Sequence, residues 1–149
     1  EEQSAASGAD FAGNSRSAAY LDMDGDGDLD IVVNAFIGPA RVLRNDSERL
    51  GHHWLKVRLV GDPAQGSTRD AIGAHLVVST PRLHNLWREV FSTTGYLSGH
   101  PKEQHFGLDT DRRADLVVTW PNGTSETFRG LAADRRYRVV QGQGIAPVP

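Results

Sequence analysis

A chain of 149 residues with 38% hydrophobic residues is long enough for one domain with its own core, or for one domain and part of another. The formal net charge is −3 and the arginines are scattered, which argues against a nucleic-acid-binding surface. The chain has no cysteine, which excludes a disulfide scaffold and a thiolate metal site, and no run of about 18 apolar residues, so we expect a folded, soluble chain without a membrane span.

The N-terminal third is predicted to contain a flexible start and a short β unit. Residues 1–14 are small and polar, which is typical of a flexible segment. Residues 15–50 alternate between apolar and polar side chains in short runs, with a turn at Gly38 and Pro39, which predicts strand, loop, strand, turn and strand. The predicted strands are 17–21, 29–36 and 41–44.

The loop between the first two predicted strands carries an aspartate at every second position, in the sequence DMDGDGDLD over residues 22–30. Calcium takes six to eight oxygen ligands, and a backbone that curls around the ion turns alternate side chains inward. The pattern therefore predicts a Ca²⁺ site, in which the seventh-position residue, Asp28, contributes its backbone carbonyl. The candidate metal ligands are Asp22, Asp24, Asp26, Asp28 and Asp30.

Three other interpretations of this loop fit the residues less well. An EF-hand places a bidentate glutamate at position 12, where this chain has Val33 at the end of a β-branched run. A solvated turn of the Asp-Gly type does not require aspartate at alternate positions. Magnesium is a poorer match than calcium because it demands six tight ligands. Without a cation the five carboxylates repel one another, so the empty loop is expected to fray.

Residues 51–149 are predicted to form a small β-sandwich. Short apolar runs are separated by turn residues at intervals of about 8 to 12 residues, as in sandwiches and barrels. Asn122 and Gly123 supply the positive φ angles of a tight hairpin turn. The one short helix candidate is 131–135. The predicted strands are 53–60, 74–80, 86–92, 103–107, 115–120, 125–129 and 136–140.

Several side chains of the second part are candidates for a functional role. Asp70, Ser98 and His105 could supply an acid, a nucleophile and a base, but no glycine-flanked nucleophile motif accompanies them, and an acid beside an arginine is more often a turn or salt-bridge residue. The six histidines show no zinc-ligand spacing. Each tryptophan is either a core residue or a platform for stacking a sugar. The tryptophans are Trp54, Trp87 and Trp120.

Two stretches resemble known families. Residues 14–34, around the aspartate loop, look like an FG-GAP or VCBS repeat, the calcium-loop unit of integrin-type β-propeller blades. Residues 53–141 resemble the ASPIC and UnbV domain, found in proteins related to cartilage acidic protein and in the UnbV proteins of enediyne gene clusters. The segments that carry this second resemblance are NxxxxxxxHWL from residue 45, TRDAIGA from 68, GYLS from 95, HFGL from 105 and VTWPNG from 118.

The resemblance implies a secreted or periplasmic protein whose longer form carries a propeller ahead of this domain. We therefore expect an all-β fold, with a partial propeller-type blade and calcium loop (15–50) before a β-sandwich (51–149), acting as a non-catalytic extracellular binding or scaffold module. Its expected partner is a protein or glycan at the cell exterior, and the chain is expected to pack on a propeller. The alternatives are an accessory enzyme or product-binding protein of natural-product biosynthesis, and a carbohydrate-binding module.

Overall fold

The computed structural model describes residues 6–148, apart from the side chain of Glu48, and confirms the all-β prediction. Two short 3-10 helices, Ser47–Leu50 and Pro63–Gln65, accompany the strands. None of the described helices is long and apolar enough to cross a membrane. The strands are β1 (Ser15–Leu21), β2 (Asp30–Ala35), β3 (Arg41–Leu43), β4 (His53–Val60), β5 (His75–Ser79), β6 (Leu86–Glu89), β7 (Gln104–Asp109), β8 (Arg113–Thr119), β9 (Ser125–Ala132), β10 (Arg135–Val140) and β11 (Gly144–Val148).

The first of two compact units contains residues 6–47 and 93–101. Its core element is an antiparallel three-stranded sheet in the order β1-β2-β3. Segment 93–101 joins this unit through the ring of His100, which stacks on Tyr20 with ring centroids 3.9 Å apart and accepts a hydrogen bond from the Tyr20 amide. The predicted boundary near residue 50 lies close to the break after residue 47, whereas the assignment of 93–101 to the first unit was not predicted.

The second unit, residues 48–92 and 102–148, is a sandwich of two four-stranded sheets in the orders β11-β10-β4-β7 and β6-β5-β8-β9. Alternate side chains of both sheets point into one core, as the period of two along a strand requires. Leu55 and Val139 represent the first sheet in this core, and Leu76 and Leu116 the second; all four are fully buried. The β4–β10 pair is parallel, and the other strand pairs of this unit are antiparallel.

The predicted hairpin between β8 and β9 is confirmed. The Gly123 amide donates to the Trp120 carbonyl at 2.8 Å, and Gly123 has a φ of 85°, a conformation that glycine adopts at little steric cost. The helix predicted at 131–135 is wrong. Leu131 lies inside β9 and Arg135 is the first residue of β10, with two residues between the strands. All ten predicted strands are present, and β11 is an additional edge strand.

Candidate metal centre

The aspartate loop leaves and re-enters the first sheet at one place. Leu21, the last residue of β1, pairs with Asp30, the first residue of β2, so the chain between them must close on itself. Gly25 and Gly27 allow this tight curl, with φ angles of 83° and 108°. The closed loop forces alternate carboxylates to share a small volume.

Three of the predicted ligands converge. Asp22, Asp24 and Asp30 each offer a carboxylate oxygen, and these oxygens lie within 4.8 Å of one another. Asp30 is fully buried and held on both sides, since its Oδ2 accepts from the Met23 amide and its Oδ1 from the Asn45 amide, both at 2.9 Å. These two hydrogen bonds therefore hold the carboxylate of Asp30 in one orientation.

Asp26 and Asp28 lie outside this group of three. Asp26 Oδ1 accepts from the Asp28 amide at 3.2 Å. Asp28 is 7% exposed, and its Oδ2 accepts from both the amide and the hydroxyl of Ser47, at 2.8 and 3.0 Å. The side chain of Asp28 thus ties the loop to the end of the first unit. Such a position agrees with a backbone rather than a side-chain contribution at the seventh position of the loop.

The residues present suit a hard divalent cation. The donor set consists of carboxylate oxygens, the ligand type that calcium and magnesium prefer. Asp28 Oδ1 is buried without a hydrogen-bond partner among residues 6–148, and a buried carboxylate oxygen without compensation is costly. Arg44 neutralises the negative charge of the loop only in part. Its Nη1 lies 3.8 Å from Asp24 Oδ2, while its Nη2 pairs with Asp46.

Asn45 and Ser47 are the loop contacts that sequence reasoning missed. They donate to Asp30 and Asp28 from 15 and 19 residues further along the chain. No spacing rule connects such positions to the loop, since the contact depends on the return of the chain after β3. Asn45 donates through its backbone amide, so its side chain gives no signal for this contact, and a serine such as Ser47 is equally common in turns.

Two of the three residues considered for catalysis, Asp70 and Ser98, have ordinary structural contacts. Asp70 Oδ1 accepts from Arg58 Nη2 at 2.5 Å, and the Ser98 hydroxyl donates to the Tyr96 carbonyl at 2.8 Å. Asp70 lies in the second unit, Ser98 belongs to the first, and His105 lies in β7. The contact between Asp70 and Arg58 matches the salt-bridge interpretation of this aspartate.

Replacing Asp70 with Asn is expected to cost less than about 1 kcal/mol of unfolding free energy. The ion pair with Arg58 is partly exposed, with 35% and 41% of the two side chains accessible, so solvent screens the attraction. Urea unfolding of the variant beside wild type measures the difference. A loss of several kcal/mol would contradict a surface ion pair and would point to a larger role for Asp70.

The three tryptophans have different environments. Trp120 is in the sandwich core with 2% of its surface exposed, and Trp54 is half-buried with Lys56 Nζ 4.6 Å from its ring centroid. Trp87 is 49% exposed on the edge strand β6. The core interpretation therefore holds for Trp120, and the platform interpretation stays open for Trp87.

Comparison with known proteins gives one family and a set of relatives. The ASPIC and UnbV family profile matches residues 64–146. Cartilage acidic protein 1 of Xenopus tropicalis is 32% identical over 114 residues, which cover 74% of this chain and 17% of that protein. The Mus musculus protein of the same name is 28% identical over 132 residues, covering 87% of this chain and 20% of that protein. The Homo sapiens protein of the same name is 29% identical over 132 residues, covering 87% of this chain and 19% of that protein. The chain therefore spans about a fifth of the length of these relatives.

Proposed function

This chain belongs to the ASPIC and UnbV family, and from that premise we propose that it is a calcium-stabilised extracellular binding or scaffold module rather than an enzyme. The observation that carries the calcium proposal is the convergence of the Asp22, Asp24 and Asp30 carboxylates within 4.8 Å. Three carboxylates at this separation repel one another unless a cation lies between them. A divalent ion between the carboxylates would neutralise their charge and hold the two ends of the loop together.

The role proposed for calcium is structural. Asp22, Asp24 and Asp30 would supply side-chain oxygens, and Asp28 would supply its backbone carbonyl while its carboxylate holds Ser47. Asp26 remains a predicted ligand. Sites of extracellular modules commonly have dissociation constants of about 10⁻⁴ to 10⁻³ M, so millimolar calcium outside the cell would fill such a site.

An extracellular location and a larger parent protein are part of the same proposal. The relatives are named after cartilage, a tissue composed mainly of extracellular matrix, and the chain spans about a fifth of their length. The resemblance of 14–34 to an FG-GAP or VCBS repeat supports a propeller blade, which would pack against neighbouring blades. Exposed apolar side chains on the three-stranded sheet agree with such packing: Tyr20, Ile31 and Val42 are 44%, 44% and 48% exposed.

Isothermal titration of the chelator-treated chain with CaCl₂ tests the calcium proposal. We expect one binding site with a dissociation constant of about 1 mM or tighter. Replacing Asp24 with Asn should weaken calcium binding strongly, because it removes one of the three converging carboxylates. Asp24 is exposed and its replacement leaves the Asp30 contacts in place, so the variant should still fold. The matched control is Asp10→Asn, an exposed aspartate outside the loop.

The proposal would fail if titration of wild type with CaCl₂ shows no binding. It would also fail if Asp24→Asn binds calcium as tightly as wild type and the Asp10→Asn control do. Titration with MgCl₂ distinguishes the two hard cations, since a site built for calcium should bind magnesium more weakly. Preferential binding of magnesium would overturn the choice of ion, although it would preserve the site.

A further inference from the structure

The outer face of the sheet β6-β5-β8-β9 carries an exposed tryptophan beside two valines. Trp87 pairs with Val77, and Val77 pairs with Val117, so the three side chains form a row across the sheet. They lie on the side away from the core, because their strand neighbours Leu76 and Leu116 are fully buried in it. The indole is 49% exposed and forms one end of this row.

Hydrogen-bonding groups form the adjacent row of the same face. His75 pairs across the sheet with Glu89 on one side and with Thr119 on the other. The imidazole meets the Trp87 ring edge-on, with centroids 5.4 Å apart, and His75 Nε2 lies 3.6 Å from Glu89 Oε2. Thr119 Oγ1 lies 3.0 Å from Ser125 Oγ. The row therefore offers both donors and acceptors beside an apolar ring.

A cleft of about 500 Å³ continues this face beyond the valines. Ser79 and Asp115 pair with each other and line the cleft, together with His84. They lie two residues along their strands from Val77 and Val117, which is a distance of about 7 Å. The tryptophan row and the cleft together can accommodate an extended ligand of more than one ring.

We propose that this surface, the Trp87 face, binds a neutral glycan through a pyranose ring stacked on the indole. The C–H face of a pyranose is apolar and matches the exposed ring, while its hydroxyl groups match the donors and acceptors of His75, Glu89 and Thr119. The two rows contain one carboxylate and one imidazole, and the cleft adds Asp115, His84 and the single guanidinium of Arg113. Among the described residues this surface therefore lacks the cluster of cations that would select a sulfated glycan.

A protein partner is less well matched to the Trp87 face than a glycan. Protein interfaces centre on a broad apolar core, whereas the apolar row here consists of one indole and two half-buried valines bordered by polar groups. The inference rests on the proposed role as a binding module, and it does not depend on the calcium loop.

The test uses the whole 149-residue chain on an array of neutral and sulfated glycans, followed by titration calorimetry with the strongest neutral oligosaccharide. We expect wild type to bind a neutral glycan and Trp87→Ala to bind it about tenfold more weakly or worse, a factor equivalent to about 1.4 kcal/mol. Trp87→Phe should retain part of the affinity. The matched control is Tyr96→Ala, which removes a 73% exposed ring that belongs to the first unit.

Each outcome is decisive when thermal melting shows that the Trp87 variants are folded. Binding that requires Trp87 supports the inference, and repeating the titration in chelator separates it from the calcium proposal, because the Trp87 contribution should persist there. The inference is overturned if no neutral glycan binds, if Trp87→Ala binds as wild type does, or if only sulfated glycans or only proteins are captured.

Discussion

Replacing Trp120 with Ala is expected to lower the free energy of unfolding of the sandwich by about 3 to 5 kcal/mol. Trp120 is the largest of the fully buried side chains, so truncation leaves a cavity in the core. The substitution also removes the hydrogen bond from the indole Nε1 to Glu126 Oε1, 2.7 Å long, although the Gly142 amide still donates to that oxygen. Urea unfolding monitored by circular dichroism measures the loss.

Trp87→Ala is the matched control for the Trp120 substitution. It removes the same side chain from an edge strand where half of the ring is exposed, so the expected cost is about 1 kcal/mol or less. If the two variants lose equal stability, or if Trp87→Ala loses more, the assignment of Trp120 to the core is wrong. The comparison also shows whether Trp87→Ala is stable enough for the glycan experiment.

Replacing Asp30 with Ala is expected to destabilise the first unit by about 2 to 4 kcal/mol even in chelator. Two backbone amides in part-buried hydrogen bonds, those of Met23 and Asn45, lose the acceptor that this carboxylate provides. In millimolar calcium the difference from wild type should grow, because the variant also loses a predicted ligand. At a calcium concentration one hundred times the dissociation constant, binding would add about 2.7 kcal/mol to wild type. Scanning calorimetry in calcium and in chelator measures both effects.

Asp24→Asn separates the calcium contribution from the structural one. Asp24 is exposed, and its Oδ1 accepts a long hydrogen bond of 3.4 Å from the Asp26 amide. Because the variant also removes one of three mutually repelling charges, it should be at least as stable as wild type in chelator and less stable than wild type in calcium. Equal melting of wild type with and without calcium would contradict a stabilising ion. A variant that is as unstable in chelator as Asp30→Ala would show that Asp24 acts through packing instead.

The strands and the aspartate loop could be predicted because their signals are local. Alternation of apolar and polar side chains reports a strand whatever it pairs with, and Asn122 with Gly123 specifies a tight turn through backbone angles alone. The strand β11 was not predicted, because its five residues include Gly144 and Pro147, and both residue types are rare inside strands. The proline is tolerated because β11 lies at the edge of its sheet.

Long-range contacts explain what could not be predicted. The parallel pairing of β4 with β10 joins Leu55 to Arg135, and segment 93–101 belongs to the first unit although it lies far along the chain. Alternation does not report a strand's partner, because the same pattern is compatible with many pairings. For the same reason, the residues that hold the Asp28 and Asp30 carboxylates could not be identified from spacing.

The amino-acid sequence by itself determined that this protein is built of short strands and that five carboxylates crowd into one turn of the chain, since both properties depend on neighbouring residues. Only the tertiary structure decided which carboxylates converge, and which tryptophan is buried and which is exposed. Trp87 and Trp120 both lie in apolar runs with strand-like alternation, but Trp120 is buried in the core of the sandwich while Trp87 lies half-exposed on an edge strand. The face on which a side chain lies is set by sheet pairing and layer packing, and these join residues that are distant in the sequence.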